Sequence, residues 1–508
     1  MRKLLLALAL APSATALAQK VANPQPFANT ITEEDLKKHL YIVASKEMEG
    51  RETATEGQRK AAAYIENHFR ALGLLPGNKD SYQLQYPVFQ DSLVGAAIQV
   101  NGKSFELNKD FTVNFAAGYS ATMMGGEVVF VGNGISDSAR NDYKNVNVQG
   151  KIVLIIQAPA AAPQAGAGRP RMFNPYALQD AAQKNGAAAV LVVGDNFPRR
   201  ATPNKGNPSL NGFKKSIYPN TFTISSQVAE AIMGADYAAA ADAAKKGTAA
   251  AKSYNADVLL DLQKTTIQLH SSNVLGLLEG TDLKDQYVFV TAHYDHLGKR
   301  DTVVYYGADD DGSGTVSVLE IAEAFVKAKA AGKGPRRSIV FMTVSGEEKG
   351  LWGSQYYSEH PVYPLDKTTV DLNIDMIGRI DPNRTQGDST NYVYVVGDDK
   401  LSTDLKPISE ATNKKYSKLE LDYKFNDPND KERIYFRSDH YNFARKGVPI
   451  IFYFDGIHKD YHRPSDTPDK INYDIMAKRA KLVFYTAWDM ANRNDMLKRD
   501  LKLEIPSR

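Results

Sequence analysis

Residues 287–298 read YVFVTAHYDHLG, an apolar run that ends in polar residues. A short apolar run bounded by a turn is typical of a buried strand. The segment SGTVSVLEIAEAFVKAKAAG at 313–332 has the apolar spacing of a helix, and RSIVFMTVS at 337–345 resembles the first strand. Strands that alternate with helices in this way predict an α/β sheet with helices packed on its faces.

The alternation continues towards the carboxyl terminus. Further segments of this type are KGLWGSQYYSEH at 349–360, TVDLNIDMIG at 369–378, GVPIIFYFDG at 447–456 and a closing helix from about Asp474 to Asn494. Residues 31–73 have a helical pattern, and short strands are predicted from 83 to 115. We therefore predict an α/β domain with a mixed sheet and helices on both faces, formed by 19–115 and 257–508, and a β-rich insertion at 116–256.

Composition narrows the class of protein. Of the 508 residues, 43% are hydrophobic and 24% are charged, which is ordinary for a globular protein and excludes disorder of the whole chain. The sequence contains no cysteine, which excludes disulfides, thiolate zinc sites and a cysteine nucleophile. A net charge of +3 without a basic stripe gives no reason to expect nucleic-acid binding.

The first 18 residues read as a signal peptide. Arg2 and Lys3 precede the apolar run LLLALALAP, and Ala16-Leu17-Ala18 matches an A-x-A cleavage site. We predict cleavage after Ala18 and a secreted or periplasmic protein, since the mature chain has no later apolar stretch long enough to span a membrane.

Polar residues follow several of the predicted strands, where ligand sites of α/β sheets are found. His293 ends one strand, Asp309-Asp310-Asp311 precede a helix, Glu347-Glu348 follow another strand, Asp375 ends a third, and His462 lies in a loop after the last. Each has a simpler interpretation when taken alone. The aspartates are typical of a helix amino terminus, and the glutamates of a solvated loop. His296 and His440 are ambiguous, and His458 is expected at the surface.

The combination favours a metal centre. An acidic residue at the end of an apolar strand is costly to bury unless it is paired or binds a metal. Histidines and carboxylates at one sheet edge suit two zinc ions, for which His293, Asp310, Glu348, Asp375 and His462 provide five ligands. Glu347 remains beside a ligand, where it would act as the general base.

Five motifs in this order resemble peptidase family M28, whose members are di-zinc metallopeptidases. They are HYDH, GADDDGSG, SGEEKG, NIDMIG and DYHRPSDT, and the segment SDHYNFARKGVP is also similar. The resemblance covers roughly residues 31–115 and 257–494. It implies an exopeptidase that removes amino-terminal residues from peptides by attack of a metal-activated water.

The resemblance also implies individual roles. His293 and Asp375 would bind one zinc ion, Glu348 and His462 the other, with Asp310 bridging the two. Glu347 would be the catalytic base, and the carboxylate of Asp295 would orient His293. Tyr461 matches a tyrosine that helps to stabilise the oxyanion in some members. A cis peptide bond is expected at Asp310-Asp311.

The insertion at 116–256 resembles a protease-associated (PA) domain, through GGEVVFVGNGI, DYKNVNVQGKIVLIIQ and AAQKNGAAAVLVV. In related peptidases this domain is thought to influence substrate access.

Two other classes of function stay open. The same scaffold occurs in carboxypeptidases and glutaminyl cyclases, which would act on different substrates. Transferrin-receptor relatives combine a PA domain with a peptidase-like domain and only bind partners. The complete set of ligands and the base favour an enzyme, and we expect an aminopeptidase.

Overall fold

The computed structural model describes residues 22–157, 176–201, 203–213 and 216–503. The predicted signal peptide, 1–18, lies outside the described residues. The chain forms two compact units, one of Met1–Tyr86 with His270–Arg508 and one of Pro87–Leu269. Residues 87–115 and 257–269, which the sequence pattern places in the α/β domain, lie in the second unit. Both boundaries fall inside continuous strands, Gln83–Val100 and Lys252–Leu278, so no change of pattern marks them.

The first unit combines strands with helices, as the alternation predicts. Apart from the parts of the two boundary strands, its strands are Leu75–Pro76, Leu283–His293, Lys299–Arg300, Val303–Val304, Arg337–Val344, Thr368–Ile374, Tyr392–Val396, Glu420–Asp422 and Ile450–Phe454. Its α-helices are Gln25–Ala28, Glu33–Val43, Glu56–Ala71, Gly314–Ala330, Trp352–Glu359, Leu405–Tyr416, His440–Ala444 and Tyr473–Asn492.

Four parallel strands form the centre of this sheet. Their order across the sheet is Ile450–Phe454, Thr368–Ile374, Leu283–His293 and Arg337–Val344. Antiparallel neighbours flank them on both sides, namely Tyr392–Val396 and residues 274–278. The sheet is therefore mixed, as predicted.

Alternate residues of the central strands pack on opposite faces. Val288, Val290 and Ala292 belong to a core formed with the helices Glu33–Val43, Glu56–Ala71, Gly314–Ala330 and Tyr473–Asn492. Phe289 belongs to the other core, which includes Tyr357 and Phe443 from two further helices. Because both faces are covered, the strands are apolar on both sides, which explains the uninterrupted apolar runs in the sequence.

The register of the parallel strands brings their carboxyl ends to one edge. His293 lies opposite Val344, and Thr291 lies opposite Asn373. Asn373 in turn lies opposite Phe452. Residues that follow these strands therefore emerge side by side, where polar groups can converge.

Within the described residues, the second unit contains part of a sheet and two apolar cores. Parallel strands Ala121–Phe130, Ile152–Ile156, Ala189–Val193 and Asn220–Ile224 lie side by side, with antiparallel neighbours at either side. Its remaining elements are the strands Lys103–Phe105 and Phe111–Val113 and the helices Ala177–Lys184, Ser226–Met233 and Asp236–Lys245. Buried residues cover both faces of this sheet.

Among the described residues, no helix is long and apolar enough to cross a lipid bilayer.

Candidate metal centre

The residues predicted as metal ligands come together at the carboxyl edge of the central strands. His293 is the last residue of its strand, and Asp375 directly follows the strand Thr368–Ile374. Glu348 lies in a short 3-10 turn after the strand Arg337–Val344, and His462 lies in the loop after Ile450–Phe454. The topology of the sheet thus places side chains from distant parts of the sequence around one point.

Asp310 lies between two groups of donor atoms. Its Oδ1 is 3.2 Å from Nε2 of His293, and that nitrogen is 3.5 Å from Oδ1 of Asp375. Its Oδ2 is 3.1 Å from Nε2 of His462, and the same nitrogen is 3.1 Å from Oε2 of Glu348. Each oxygen of one carboxylate therefore faces a different histidine–carboxylate pair.

The charge of this cluster requires a counter-ion. Nε2 of His293 and Oδ2 of Asp310 are buried and have no hydrogen-bond partner among the described residues. Burial opposes protonation of His462, but the nearby Asp310 and Glu348 carboxylates raise its pKa to about 10. Nitrogen and carboxylate oxygen are the ligands that zinc takes where thiolates are absent. The orphaned atoms and the donor chemistry thus fit bound divalent cations.

Glu347 faces the same centre without belonging to the tighter contacts. Its Oε2 is 4.0 Å from Nε2 of His293. Burial, together with the neighbouring Glu348 and Asp375 carboxylates, raises the pKa of Glu347 well above its ordinary value. A carboxylate in such a place is available to accept a proton from a group bound between the donor pairs.

Asp295 supports the site in two ways. Nδ1 of His293 is 3.0 Å from the main-chain oxygen of Asp295, whereas the nearer carboxylate oxygen is 3.7 Å away. The ring is therefore oriented chiefly by the main chain of Asp295. The carboxylate itself accepts hydrogen bonds from the hydroxyl of Thr53 and the main-chain N–H of Glu347, at 2.7 and 3.2 Å.

The three consecutive aspartates divide their roles by direction. The peptide bond between Asp310 and Asp311 is cis, as expected. Asp311 accepts hydrogen bonds from the main-chain N–H groups of His293, Gly314 and Met376, at 2.8 to 3.1 Å. Asp311 therefore connects two strand ends to the first residue of the following helix. The prediction of an aspartate at a helix amino terminus holds for Asp311, whereas Asp310 faces the histidine–carboxylate pairs.

Asp309 takes part in a second buried cluster behind Asp310. Its Oδ1 accepts a hydrogen bond from the N–H of Gly378 at 2.7 Å, and its Oδ2 is 3.1 Å from Nε2 of His458. Asp466 accepts from the N–H groups of Asp309 and Asp310, at 3.0 and 3.2 Å. The expectation that His458 lies at the surface is wrong, because this histidine pairs with a buried carboxylate.

Arg51 is a site residue that the sequence pattern does not reveal. Its buried guanidinium donates to the main-chain oxygens of Val43, Tyr294, Tyr306 and Gly307, at 2.7 to 2.9 Å. Two of these acceptors flank the segments that carry Asp295 and Asp310. In the sequence EMEGR this arginine resembles an exposed charged residue. Its acceptors are all main-chain oxygens, so no acidic side chain in the sequence indicates that it is buried.

Tyr461 lies beside the cluster, next to a small cavity of about 30 Å³. Its hydroxyl accepts a hydrogen bond from Arg437 at 3.1 Å, and its ring stacks on His462. The cavity is lined by Asp310, Glu347, Asp375, Met376, Ile434, Arg437, Phe452, Phe454, Ile457 and Tyr461. Arg437 thus places a cationic group at a site otherwise lined by acidic and apolar side chains.

Residues 273–487 match the sequence profile described as Peptidase family M28. This part of the chain belongs to that family. The M28 region contains all five predicted ligands and Glu347.

The chain is 32% identical over 217 residues to a probable leucine aminopeptidase of Arthroderma otae, covering 41% of this chain and 56% of the relative. It is 26% identical over 259 residues to the aminopeptidase YwaD of Bacillus subtilis, covering 49% and 51%. The chain thus spans about half the length of these curated relatives.

Solved structures show the same fold over both units. An aminopeptidase from Aneurinibacillus sp. strain AM-1 aligns with a TM-score of 0.53 at 18% identity, covering 95% of this chain and 99% of its own. A zinc aminopeptidase from Bacillus subtilis aligns with a TM-score of 0.51 at 19% identity, covering 93% and 98%. At these identities the similarity concerns the fold of the chain, including that of the M28 region.

Gly307 provides a test of how tightly the M28 region packs around Asp310. A Cβ atom at Gly307 would lie 2.3 Å from the main-chain oxygen of Asp310 and 2.4 Å from Cγ of His296. Gly332 has a similar positive φ, +67° against +54°, but nothing lies within 4 Å of its Cβ position. We expect Gly332→Ala to cost about 1 kcal/mol of unfolding free energy through backbone strain alone. Gly307→Ala should cost about 3 kcal/mol or more, because overpacking adds to the strain.

Urea unfolding of both variants, followed by circular dichroism, measures the difference. Equal losses would show that the segment around Asp310 relaxes freely, contrary to this description.

Proposed function

We propose that this protein is a zinc-dependent aminopeptidase with two zinc ions per chain. The observation that carries the proposal is the position of Asp310, whose two oxygens face two separate histidine–carboxylate pairs at 3.1 and 3.2 Å. A carboxylate in this arrangement is suited to bridge two cations. His293 and Asp375 would hold one zinc ion, and Glu348 and His462 the other.

Zinc at this position supplies a Lewis acid that polarises a peptide carbonyl and lowers the pKa of water. The chain itself supplies the proton transfers. Glu347 would accept a proton from the attacking water and donate it to the leaving amine. The hydrogen bond from its main-chain N–H to Asp295 fixes the turn that carries it, so the carboxylate is held at the donor pairs.

Tyr461 is proposed to bind the substrate oxygen on which negative charge develops. Burial keeps its hydroxyl protonated by raising its pKa, so that it can donate a hydrogen bond. Arg437, which donates to the same hydroxyl, holds the phenol in place.

The choice of aminopeptidase rests on the relatives, two of which are described by that activity. Its test is the hydrolysis of leucyl-p-nitroanilide beside the N-acetylated compound, with chelator and zinc add-back. We expect cleavage of the unblocked compound alone, lost with chelator and restored by zinc. Two bound zinc ions without cleavage of either compound would favour a carboxypeptidase or cyclase, and absence of zinc would favour a binding protein.

Glu347→Ala tests the proposed base. Since a general base contributes roughly 10²–10⁴-fold to the rate, kcat should fall by about that factor while the zinc content stays the same. Glu359→Ala is the control, because Glu359 is an exposed glutamate at the end of the nearby helix Trp352–Glu359. Near-normal turnover of Glu347→Ala would remove this residue from the role of base.

Export of the protein remains part of the proposal. It rests on residues 1–18, and amino-terminal sequencing of the mature protein should find Gln19 as the first residue.

We also propose that the insertion is a PA domain that influences substrate access, and the proposed chemistry does not depend on it. Unchanged kinetics on short and long peptides after its deletion would count against that role.

A further inference from the structure

His296 lies beside the metal centre but has no place in the ligand set proposed above. Its side chain is fully buried. Its Nδ1 is 2.8 Å from Oε1 of Glu348 and 3.8 Å from Oδ2 of Asp310. These two carboxylates are the ones that also contact His462. Two imidazole rings therefore approach the same pair of carboxylates.

The facing atoms of this group lack partners. Nδ1 of His296, Oε1 of Glu348 and Oδ2 of Asp310 are all buried without a hydrogen-bond partner among the described residues. The first two are close enough for a hydrogen bond, but they are not aligned for one. Buried polar atoms are normally satisfied, so three orphaned donor and acceptor atoms in one place require an explanation.

One cation would satisfy all three atoms. Ligand atoms of His296, Asp310 and Glu348 lie within 4.8 Å of one another, which is compatible with coordination of a single ion. An imidazole nitrogen and two carboxylate oxygens also form a donor set that zinc accepts.

The surroundings hold the His296 ring in this position. Gly307 packs against it so closely that a Cβ atom there would lie 2.4 Å from Cγ of the ring. The main-chain N–H of His296 donates to the oxygen of Arg51 at 3.3 Å. His462 lies across from it, with a ring-to-ring distance of 5.9 Å and an angle of 67°. His462 is 38% exposed, so its ring approaches the carboxylates from the solvent side, whereas the buried ring of His296 approaches them from the interior.

We propose that His296 is an additional ligand, through Nδ1, of the cation held by Asp310, Glu348 and His462. That site then has four protein ligands, whereas the site of His293, Asp310 and Asp375 has three. Sites with four protein ligands are typically closed, and sites with three keep a position open for substrate or water. The two sites would differ in affinity, with the four-ligand site retaining its cation more strongly. This inference rests on the proposed pair of cations, but not on peptide cleavage.

The chain offers a clean spectroscopic test, because it contains no cysteine. Nδ1 is the ring nitrogen nearer to the main chain, so the short side chain of cysteine is a close positional substitute. In the variant His296→Cys loaded with Co²⁺, a coordinating thiolate should give a sulfur-to-cobalt charge-transfer band in the near ultraviolet. His360→Cys is the matched control, since His360 is exposed at the surface and should give no such band.

A second variant measures affinity. We expect His296→Leu to lose one of two zinc ions during dialysis against graded chelator, with a decrease in affinity greater than about 100-fold. The residues that only orient ligands typically contribute 10–100-fold. Metal content by mass spectrometry, with circular dichroism as a check on folding, gives the result. His360→Leu should retain both ions.

Several outcomes would overturn the inference. One is that cobalt-loaded His296→Cys shows no charge-transfer band. Another is that folded His296→Leu binds two ions with unchanged affinity. A folded His296→Leu variant that loses only 10–100-fold would make His296 an orienting residue instead. If the unaltered protein binds no cation, the proposed metal pair fails as well. If it binds two cations and shows the band as His296→Cys but cleaves no peptide, the proposed function fails and the inference stands.

Discussion

The burial of Asp310 between two histidines is the constraint on which the rest of the metal centre depends. A carboxylate removed from water is strongly destabilising unless other groups compensate its charge. Here each of its oxygens faces a histidine at 3.1 or 3.2 Å, and further acidic groups stand behind both histidines. The positive charge that compensates these carboxylates must therefore come from cations or protons, and side chains that follow four strand ends are placed to bind such cations.

The main chain around Asp310 is held from several sides. Asp311 ties the ends of two strands to the following helix, and Asp466 accepts hydrogen bonds from the main chain of Asp309 and Asp310. Arg51 fixes two neighbouring segments through main-chain oxygens. These contacts explain how one carboxylate can keep its position while the charges around it change, which is what an arrangement of metal ligands requires.

Much of the fold could be predicted from the sequence, because strands buried on both faces leave long apolar runs. The positions of His293 and Asp375 at strand ends were legible for the same reason. The different roles of Asp309, Asp310 and Asp311 cannot be predicted from the sequence, since three identical residues differ only in the direction that the backbone gives their side chains. The sequence does not reveal the positions of Arg51 and His458, because the partners of Arg51 are main-chain atoms and that of His458 is a carboxylate distant in sequence. The limits of the two compact units could not be read from the sequence, because they fall within strands, where the sequence pattern does not change.

The spacing of the donors along the chain has a consequence for biosynthesis. His293, Asp310 and Asp375 lie within 83 residues, whereas His462 follows only after the last central strand. Because the chain is synthesised from its amino terminus, one group of donors is present before the other is complete. Because metal binding and folding are coupled, the last strand and its loop would also complete the metal centre. Acquisition of the full complement of cations would then mark the moment at which the sheet itself is finished.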